Sequence, residues 1–519
     1  MIAMIPSATL LGVEGRPVTI EVHVSNGLPG FTVVGLPDAA CRESRDRVRA
    51  ALLSSGLTWP LKRVTVNLAP TSVRKGGAGL DLPIAVALLV AAGDLAPTAV
   101  EETAFLGELG LDGSLRAVTG VVPMVGAMAA PTVVVPQACA REAAVLGRHK
   151  VRCARTLGEL VECLRGEAPW PDSLPPEADA DGIGGGDGGV TAFGGARCVA
   201  PPDLADVRGQ PVGRTAVEVS AAGGHHLLLC GPPGSGKTML ARRLPGLLPR
   251  LESEEALEAT CVHSAAGVAL PRGGLVEQPP FRAPHHGASA VALIGGGSSW
   301  MRPGEISLAH GGVLFMDELG EFPAAVLDSL RQPLEEGVVR LARARGSVTL
   351  PARFLLVAAT NPCPCGRGSP DGACRCGPAA RARYRRRLSA PLLDRFDLRV
   401  VVSRPDAAHL VAGPPAEATA VVAARVAAAR AMARERGVRC NAELPAASLE
   451  AVAPLTPAAR MLLEYKLRSG TLSGRGLHRV RRVARTLADL AGADRAVAEE
   501  HICLALGLRG EVIGDEGVA

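Results

Sequence analysis

Aromatic residues make up only 3% of this 519-residue chain: 3 Trp, 2 Tyr and 8 Phe. Its cores must be built from Ala, Val and Leu. Stacking of bases on side-chain rings is excluded as a major mode of nucleic-acid binding, so any such contact would run through phosphates. No run is long enough to cross a bilayer either. The longest apolar stretch, "LPIAVALLVAAG" from Leu82, falls well short of the roughly 20 residues required and reads as a buried helix. The N-terminus, "MIAMIPSATLLGVEG", shows neither the basic leader nor the small-residue cleavage site of a secretory signal, so the chain is expected to stay in the cytoplasm with no membrane partner. Neither sign of charge dominates: 56 Lys and Arg against 51 Asp and Glu leave +5. A basic partner surface would have to come from local clustering.

What the chain does have is 47% hydrophobic residues, enough to bury real cores in the two to four domains its length suggests. Residues 1–165 alternate strand-like runs ("PVTIEVHVSNG", "RVTVNLAP", "PTVVVP") with helix-like ones ("CRESRDRVRAALLSSG"), which predicts a compact α/β domain. From 166 to 202 the composition shifts to Gly, Pro and Asp without periodicity, the mark of a flexible linker. A second α/β segment is expected over 203–405, and 406–519 carries helical periodicity with no strong strand candidate.

The chemistry lies in the second segment. "HHLLLCGPPGSGKTMLARR" is a strand, a glycine-rich turn and a helix start, matching the P-loop pattern from Gly231 to Thr238. Gly231, Pro232, Pro233, Gly234, Ser235 and Gly236, with Lys237, Thr238 and Met239, are the candidate nucleotide-binding residues. Backbone N–H groups there can curl around phosphate oxygens at the positive end of a helix dipole. Lys237 is expected to reach the β- and γ-phosphates of ATP, and the Thr238 hydroxyl to hold Mg²⁺. About eighty residues on, "GGVLFMDELGEF" predicts a buried strand ending in two acids: Asp317 for the Mg²⁺ shell and Glu318 to polarise the attacking water. A further strand, "RFLLVAAT", delivers Asn361, a neutral amide suited to orienting that water. Arg395 in "LLDRFD" and Arg475 in "LSGRG" have the chemistry to stabilise charge on a transferring phosphoryl group.

The order P-loop, "VLFMDE", Asn361, "LLDRFD", "LSGRG" resembles AAA+ ATPases of the Mg-chelatase-like branch. "SNGLPGFTVVGLPDAACRESRDRVRAAL", "FRAPHH", "RPGEISLAHGGVLFMDELGEF", "LRQPLEEG" and "NPCPCG" are similar to signatures of the ComM/YifB family, and the likeness covers nearly the whole chain apart from the linker. It implies a Lon-protease-like α+β N-terminal domain, a parallel α/β AAA+ domain and a C-terminal helical lid. It also implies that Asn361 is sensor 1, Arg395 an arginine finger acting on a neighbouring subunit's ATP, and Arg475 sensor 2. A finger supplied in trans means a ring. The family consists of hexameric motors implicated in ATP-driven branch migration of DNA during natural transformation, which makes recombination proteins possible partners. The hairpin-like "GVVRLARARGSVTLPARF" resembles one that the family places toward the pore, so that Arg340, Arg343 and Arg345 would meet a phosphate backbone. The "PFRAPHHGASAVALIGGGSSWMRPGE" stretch resembles an insertion near that pore. Its His285 and His286 invite a metal reading but are more ordinarily hydrogen-bonding residues. The first domain looks Lon-like through "AFLGELGLDGSLRAVTGVVPMV". Yet the segment corresponding to the protease serine, "KGGAGLDLPIA", has none, and the lysine region reads "GVVPMV". That predicts a non-catalytic platform for assembly or nucleic-acid binding.

Nine of the 13 cysteines are scattered, as reduced thiols packed like small hydrophobes would be. The other four, Cys363, Cys365, Cys374 and Cys376, form two Cys-x-Cys pairs eight residues apart. Four thiolates suit structural Zn²⁺; metal-free thiols and a redox pair are the alternatives. Three rivals to a DNA motor are a chelatase-type motor serving a tetrapyrrole-metallating subunit, a protein-remodelling chaperone and a nucleotide-switched scaffold. The fused Lon-like segment argues against the first, and the scarcity of aromatic gripping residues, Trp300 being a candidate, argues against the second.

Overall fold

The computed structural model of this chain describes every residue except 1, 73–74, 172–201, 298–300, 344–345, 368–373, 413, 415, 493–495 and 511–519. Of the expected linker, 172–201 therefore lies outside the described residues, as do Arg345 and Trp300.

The N-terminal part is built on strands β1 (Ile2–Leu11), β2 (Glu14–Ser25), β3 (Gly30–Val34) and β4 (Arg63–Ala69) in sheet order β1-β2-β4-β3. β1 was not anticipated, because "IAMIPSATLL" was weighed only as a leader. It pairs antiparallel with β2 from Ile2↔His23 to Leu11↔Glu14. Helices α1 (Ala39–Ser54) and α2 (Asp81–Ala92) follow; α1 is capped by the Asp38 side chain, which accepts the Cys41 N–H. α2 is the long apolar run, buried along nearly its whole length. Its one carboxylate, Asp81, is fully buried and held by Ser44 at 2.5 Å and by Arg47 at 2.6 Å. A buried acid needs such partners. A second sheet joins β5 (Thr103–Phe105), β6 (Thr132–Pro136) and β7 (Lys150–Ala154) in parallel, and α3 (Val121–Gly126) lies between β5 and β6. The serine-free turn 76–79 sits just before α2. Lys75 there is fully buried and donates to the Pro70 carbonyl.

The second part begins with α4 (Pro211–Gly223) and β8 (Leu227–Cys230), followed by α5 (Lys237–Ala241) and α6 (Ser253–Ala266). Next come β9 (Phe281–Arg282), α7 (Ala290–Ile294), β10 (Val313–Met316), the hairpin β11 (Val338–Arg343) and β12 (Gly346–Pro351), and β13 (Leu355–Thr360). Helix α8 (Pro378–Arg387) and strand β14 (Leu398–Val401) complete it. The central sheet runs β9-β10-β13-β8-β14, all parallel. Because both faces are covered, its inner strands are apolar at every position rather than alternating. Leu227, Leu229, Phe315 and Val357 enter one core; Leu228, Leu314, Met316 and Leu356 enter the other. β10, β13 and β8 end side by side, which brings the residues that follow each strand to one edge.

The remainder is helical: α9 (Thr419–Glu435), α10 (Pro457–Arg468), α11 (Gly474–Leu490) and α12 (Glu499–Gly507). It is organised around the buried Asp489, which accepts from Arg485 at 2.8 Å, from Arg436 at 2.5 Å and from Asn441 at 2.7 Å. Removing one member of such a buried pair typically costs about 3–5 kcal/mol. α11 is tied to the sheet by Arg479, 3.1 Å from Asp397 at the foot of β14. Burial alone would raise the Asp397 carboxyl, yet His225, His226 and Arg479 hold it well below the usual carboxylate range. The N-terminal part docks through α3: Gly120 N–H donates to the Ser264 carbonyl at 2.9 Å and Val122 N–H to the Ser264 hydroxyl at 3.2 Å. Leu11 and Val13 pack beside the β11–β12 hairpin, so the base of that hairpin is covered. Among the described residues no helix is long and apolar enough to cross a membrane.

Candidate nucleotide site and cysteine cluster

The turn after β8 has the shape its glycines allow. Gly234 and Gly236 have φ of 77° and 88°, and a Cβ on either would meet nothing within 4 Å, so the inside of the turn is open. Gly231 is required for a different reason: a Cβ there would sit 2.1 Å from the Val402 carbonyl oxygen. The turn is clamped from outside by Gln210, whose amide donates to the Ser235 carbonyl at 2.9 Å and the Ser403 carbonyl at 2.6 Å. Sequence reasoning missed this residue, since a lone glutamine before a helix carries no local signal.

Lys237 is almost buried, and its ammonium donates to the carbonyls of Gly231 (2.7 Å) and Pro232 (3.0 Å) and to Asn361 Oδ1 (3.3 Å). Desolvation lowers its pKa. Asp317 follows β10 and accepts the Thr238 hydroxyl at 2.8 Å. Residues from the ends of three strands thus meet: Lys237 and Thr238 after β8, Asp317 after β10, Asn361 after β13. The buried Ser235 hydroxyl has no hydrogen-bond partner. An open turn of backbone N–H groups, an orphaned hydroxyl, an ammonium and a hydroxyl–carboxylate pair make a donor set that fits a Mg²⁺–triphosphate.

Glu318 adopts φ 52° and ψ 48°, a left-handed conformation uncommon outside glycine. Its carboxylate stands 3.2 Å from His286 Nδ1. The histidine pair is therefore hydrogen-bonding, as the sequence suggested, but with the acid assigned to the water.

The four cysteines converge. Their sulfurs all lie within 4.8 Å of one another, with separations of 3.3 Å for Cys363–Cys365, 3.7 Å for Cys365–Cys374 and 3.6 Å for Cys374–Cys363. A tetrahedron with metal–sulfur bonds of about 2.3 Å has edges of about 3.8 Å, so the set fits Zn²⁺. The Arg367 backbone N–H and the neighbouring thiols bring Cys365 down to about 6, and Cys376, bonded to Cys365, is pushed up to about 12. The cluster also touches the nucleotide site: a Cβ on Gly366 would meet Pro233 Cδ at 2.6 Å and Asn361 Cγ at 3.9 Å. On its far side, α8 sets Tyr384 3.3 Å from the Thr360 hydroxyl and against Gly320, just past Glu318.

These features agree with what the chain is similar to. Residues 203–410 match the family described as magnesium chelatase, subunit ChlI; 20–138 match subunit ChlI of Mg-chelatase; and 416–509 match its C-terminal part. Over 498 residues the chain is 46% identical to an uncharacterized protein of Mycobacterium tuberculosis, covering 94% of each. It is 41% identical over 516 residues to competence protein ComM of Haemophilus influenzae, covering 98% of each. The chain belongs to the ComM/YifB family of Mg-chelatase-like AAA+ ATPases. A shorter match, 31% identical over 192 residues, joins it to Lon protease 2 of Bacillus subtilis, covering 32% of this chain and 34% of that one.

The arginines that resemblance to the ComM/YifB family singled out lie apart from this edge of the sheet. Arg395 is paired with Glu335 and donates to the Pro391 carbonyl, so it is engaged within its own chain. Arg475 is exposed in the first turn of α11, whose N-cap Ser473 accepts the Gly476 N–H. Arg340 pairs with Glu336 at 2.6 Å on β11, and Arg343 is the last residue of that strand. The hairpin itself forms, with Val338 opposite Pro351.

Proposed function

We propose that this chain is an ATP-hydrolysing motor that assembles into a hexameric ring and acts on DNA, as a branch-migration helicase supporting recombination of incoming DNA. The observation that carries the ATPase half is the meeting of Lys237, Thr238, Asp317 and Asn361 at one edge of a parallel sheet. Bound there, Mg²⁺-ATP would supply the phosphoryl group together with the cation that shields its charge. The chain does the rest: the turn 231–236 binds through its N–H groups, Lys237 leaves its carbonyl partners for phosphate oxygens, and Thr238 and Asp317 hold the cation's shell. Glu318 takes a proton from water that Asn361 orients, Arg395 of one protomer completes the site of the next, and Arg475 senses the nucleotide from the lid. The DNA half is supported by the name of the H. influenzae relative and by Arg340, Arg343 and Arg345 on the hairpin. The Lon-like part serves as a non-catalytic platform.

ATP turnover is expected to rise with single-stranded or branched DNA and to lose that stimulation steeply with salt, because phosphate contacts release counterions. ATP-dependent branch migration of a four-way junction by wild type, absent in Lys237→Ala, is the decisive assay. Stimulation by unfolded protein and not by DNA would instead identify a remodelling chaperone.

We also assign structural zinc to the four cysteines. Metal analysis of purified protein is expected to find about one zinc per chain, with Cys365→Ser lowering that content and loosening Asn361 through Gly366. Protein free of zinc yet fully active would remove the assignment.

A further inference from the structure

We propose that His286 is a latch on Glu318, and that the excursion between β9 and β10 works the latch. This rests on the reading of Glu318 as the residue that activates water. Glu318 is held in a turn whose backbone is left-handed, with its own N–H bonded to Asp317 Oδ1 at 3.0 Å. Its side chain is about half exposed, so its direction is set less by packing than by a partner. That partner is His286 Nδ1 at 3.2 Å. The His286 ring is itself confined, with its centroid 4.0 Å from that of His285 and edge-on to the buried Phe322 at 6.5 Å. While Nδ1 donates to Glu318, one carboxylate oxygen is committed sideways and is withdrawn from taking a proton from water.

The position of His286 in the chain makes the contact adjustable. The segment leaves the central sheet at Arg282, whose guanidinium grips Glu305 at 2.6 and 2.7 Å and so ties together the two ends of the excursion. Beyond Arg282 the turn is internally braced: Gly287 N–H donates to His285 Nδ1 at 3.1 Å and Ala288 N–H to the His285 carbonyl at 2.8 Å. Ser289 then caps α7, accepting the Ala292 N–H at 3.2 Å. His286 therefore moves with α7, not with the sheet that carries Glu318. α7 in turn presents a half-exposed Val291 to whatever meets the excursion. A load on α7 draws Nδ1 away and frees the carboxylate, which gives one element two arrangements and a defined output.

The test is steady-state ATP turnover of full-length wild type, His286→Ala and His286→Asn, each with and without a single-stranded oligonucleotide. An exposed ion pair of this kind shifts a two-state population by about two- to fivefold. His286→Ala is therefore expected to raise turnover without DNA by about that factor, with KM for ATP and the thermal midpoint unchanged. His286→Asn, whose amide N–H can replace Nδ1, should return the rate to wild type. With the oligonucleotide all three should converge, so the stimulation ratio of His286→Ala shrinks. A fall in turnover, no change, or a rise that the asparagine does not reverse overturns the latch. If DNA fails to stimulate wild type while His286→Ala still raises the rate, the DNA reading fails and the latch stands. If neither protein hydrolyses ATP, both readings fall.

Discussion

Replacing Glu318 by glutamine is expected to lower the turnover number for ATP by about 10²- to 10⁴-fold while leaving nucleotide affinity near that of wild type. The amide matches the carboxylate in size and keeps the side chain half exposed, so neither the left-handed turn at 318 nor the Thr238–Asp317 pair should be disturbed. What is lost is the ability to accept a proton from water. Binding of a fluorescent ATP analogue, measured beside single-turnover hydrolysis, separates the two effects. Affinity lost in step with rate would mean that Glu318 belongs to the binding apparatus. An unchanged rate would move the general base elsewhere.

Arg395→Ala is expected to cost about 10³-fold or more in turnover, the range of an arginine that stabilises charge on a transferring phosphoryl group. Within its own chain this guanidinium pairs with Glu335 and the Pro391 carbonyl, a placement that leaves it for a neighbour rather than for its own P-loop. A mixing experiment uses that asymmetry. Arg395→Ala supplies a sound P-loop with no finger, and Lys237→Ala supplies a finger with no sound P-loop. Each should be nearly inactive alone, and together they should recover part of the wild-type rate by pairing across the interface. Activity of Arg395→Ala within a factor of two of wild type, or a loss that mixing does not restore, would show that the site is complete within one protomer.

Much of this was written in local pattern. "GPPGSGKT" after an apolar run, "VLFM" before two acids and "LLVAAT" before an asparagine are short, continuous and physically constrained. A parallel strand buried on both faces must be apolar throughout, and a backbone turn that folds around phosphate must be glycine-rich. The cysteine pairs were legible for the same reason, since ligand chemistry and spacing are both local. β1 escaped because a ten-residue strand at a chain start was weighed against a leader and not against pairing with β2, a contact that exists only once "EGRPVTIEVHVS" folds back on it.

The amino-acid order by itself determined which residues carry phosphate, cation and metal chemistry, because these depend on residue type and near spacing. It left open who neighbours whom across the sheet edge. Only the folded chain sets Gln210 on the phosphate turn, Gly366 against Pro233, Tyr384 behind Glu318 and His286 onto its carboxylate, and only there does Arg395 turn to Glu335. Those pairings join residues from 32 to more than 100 positions apart, and no periodicity or spacing rule reaches that far. They follow from the order in which the strands lie side by side, which is settled by the packing of both faces of the sheet at once.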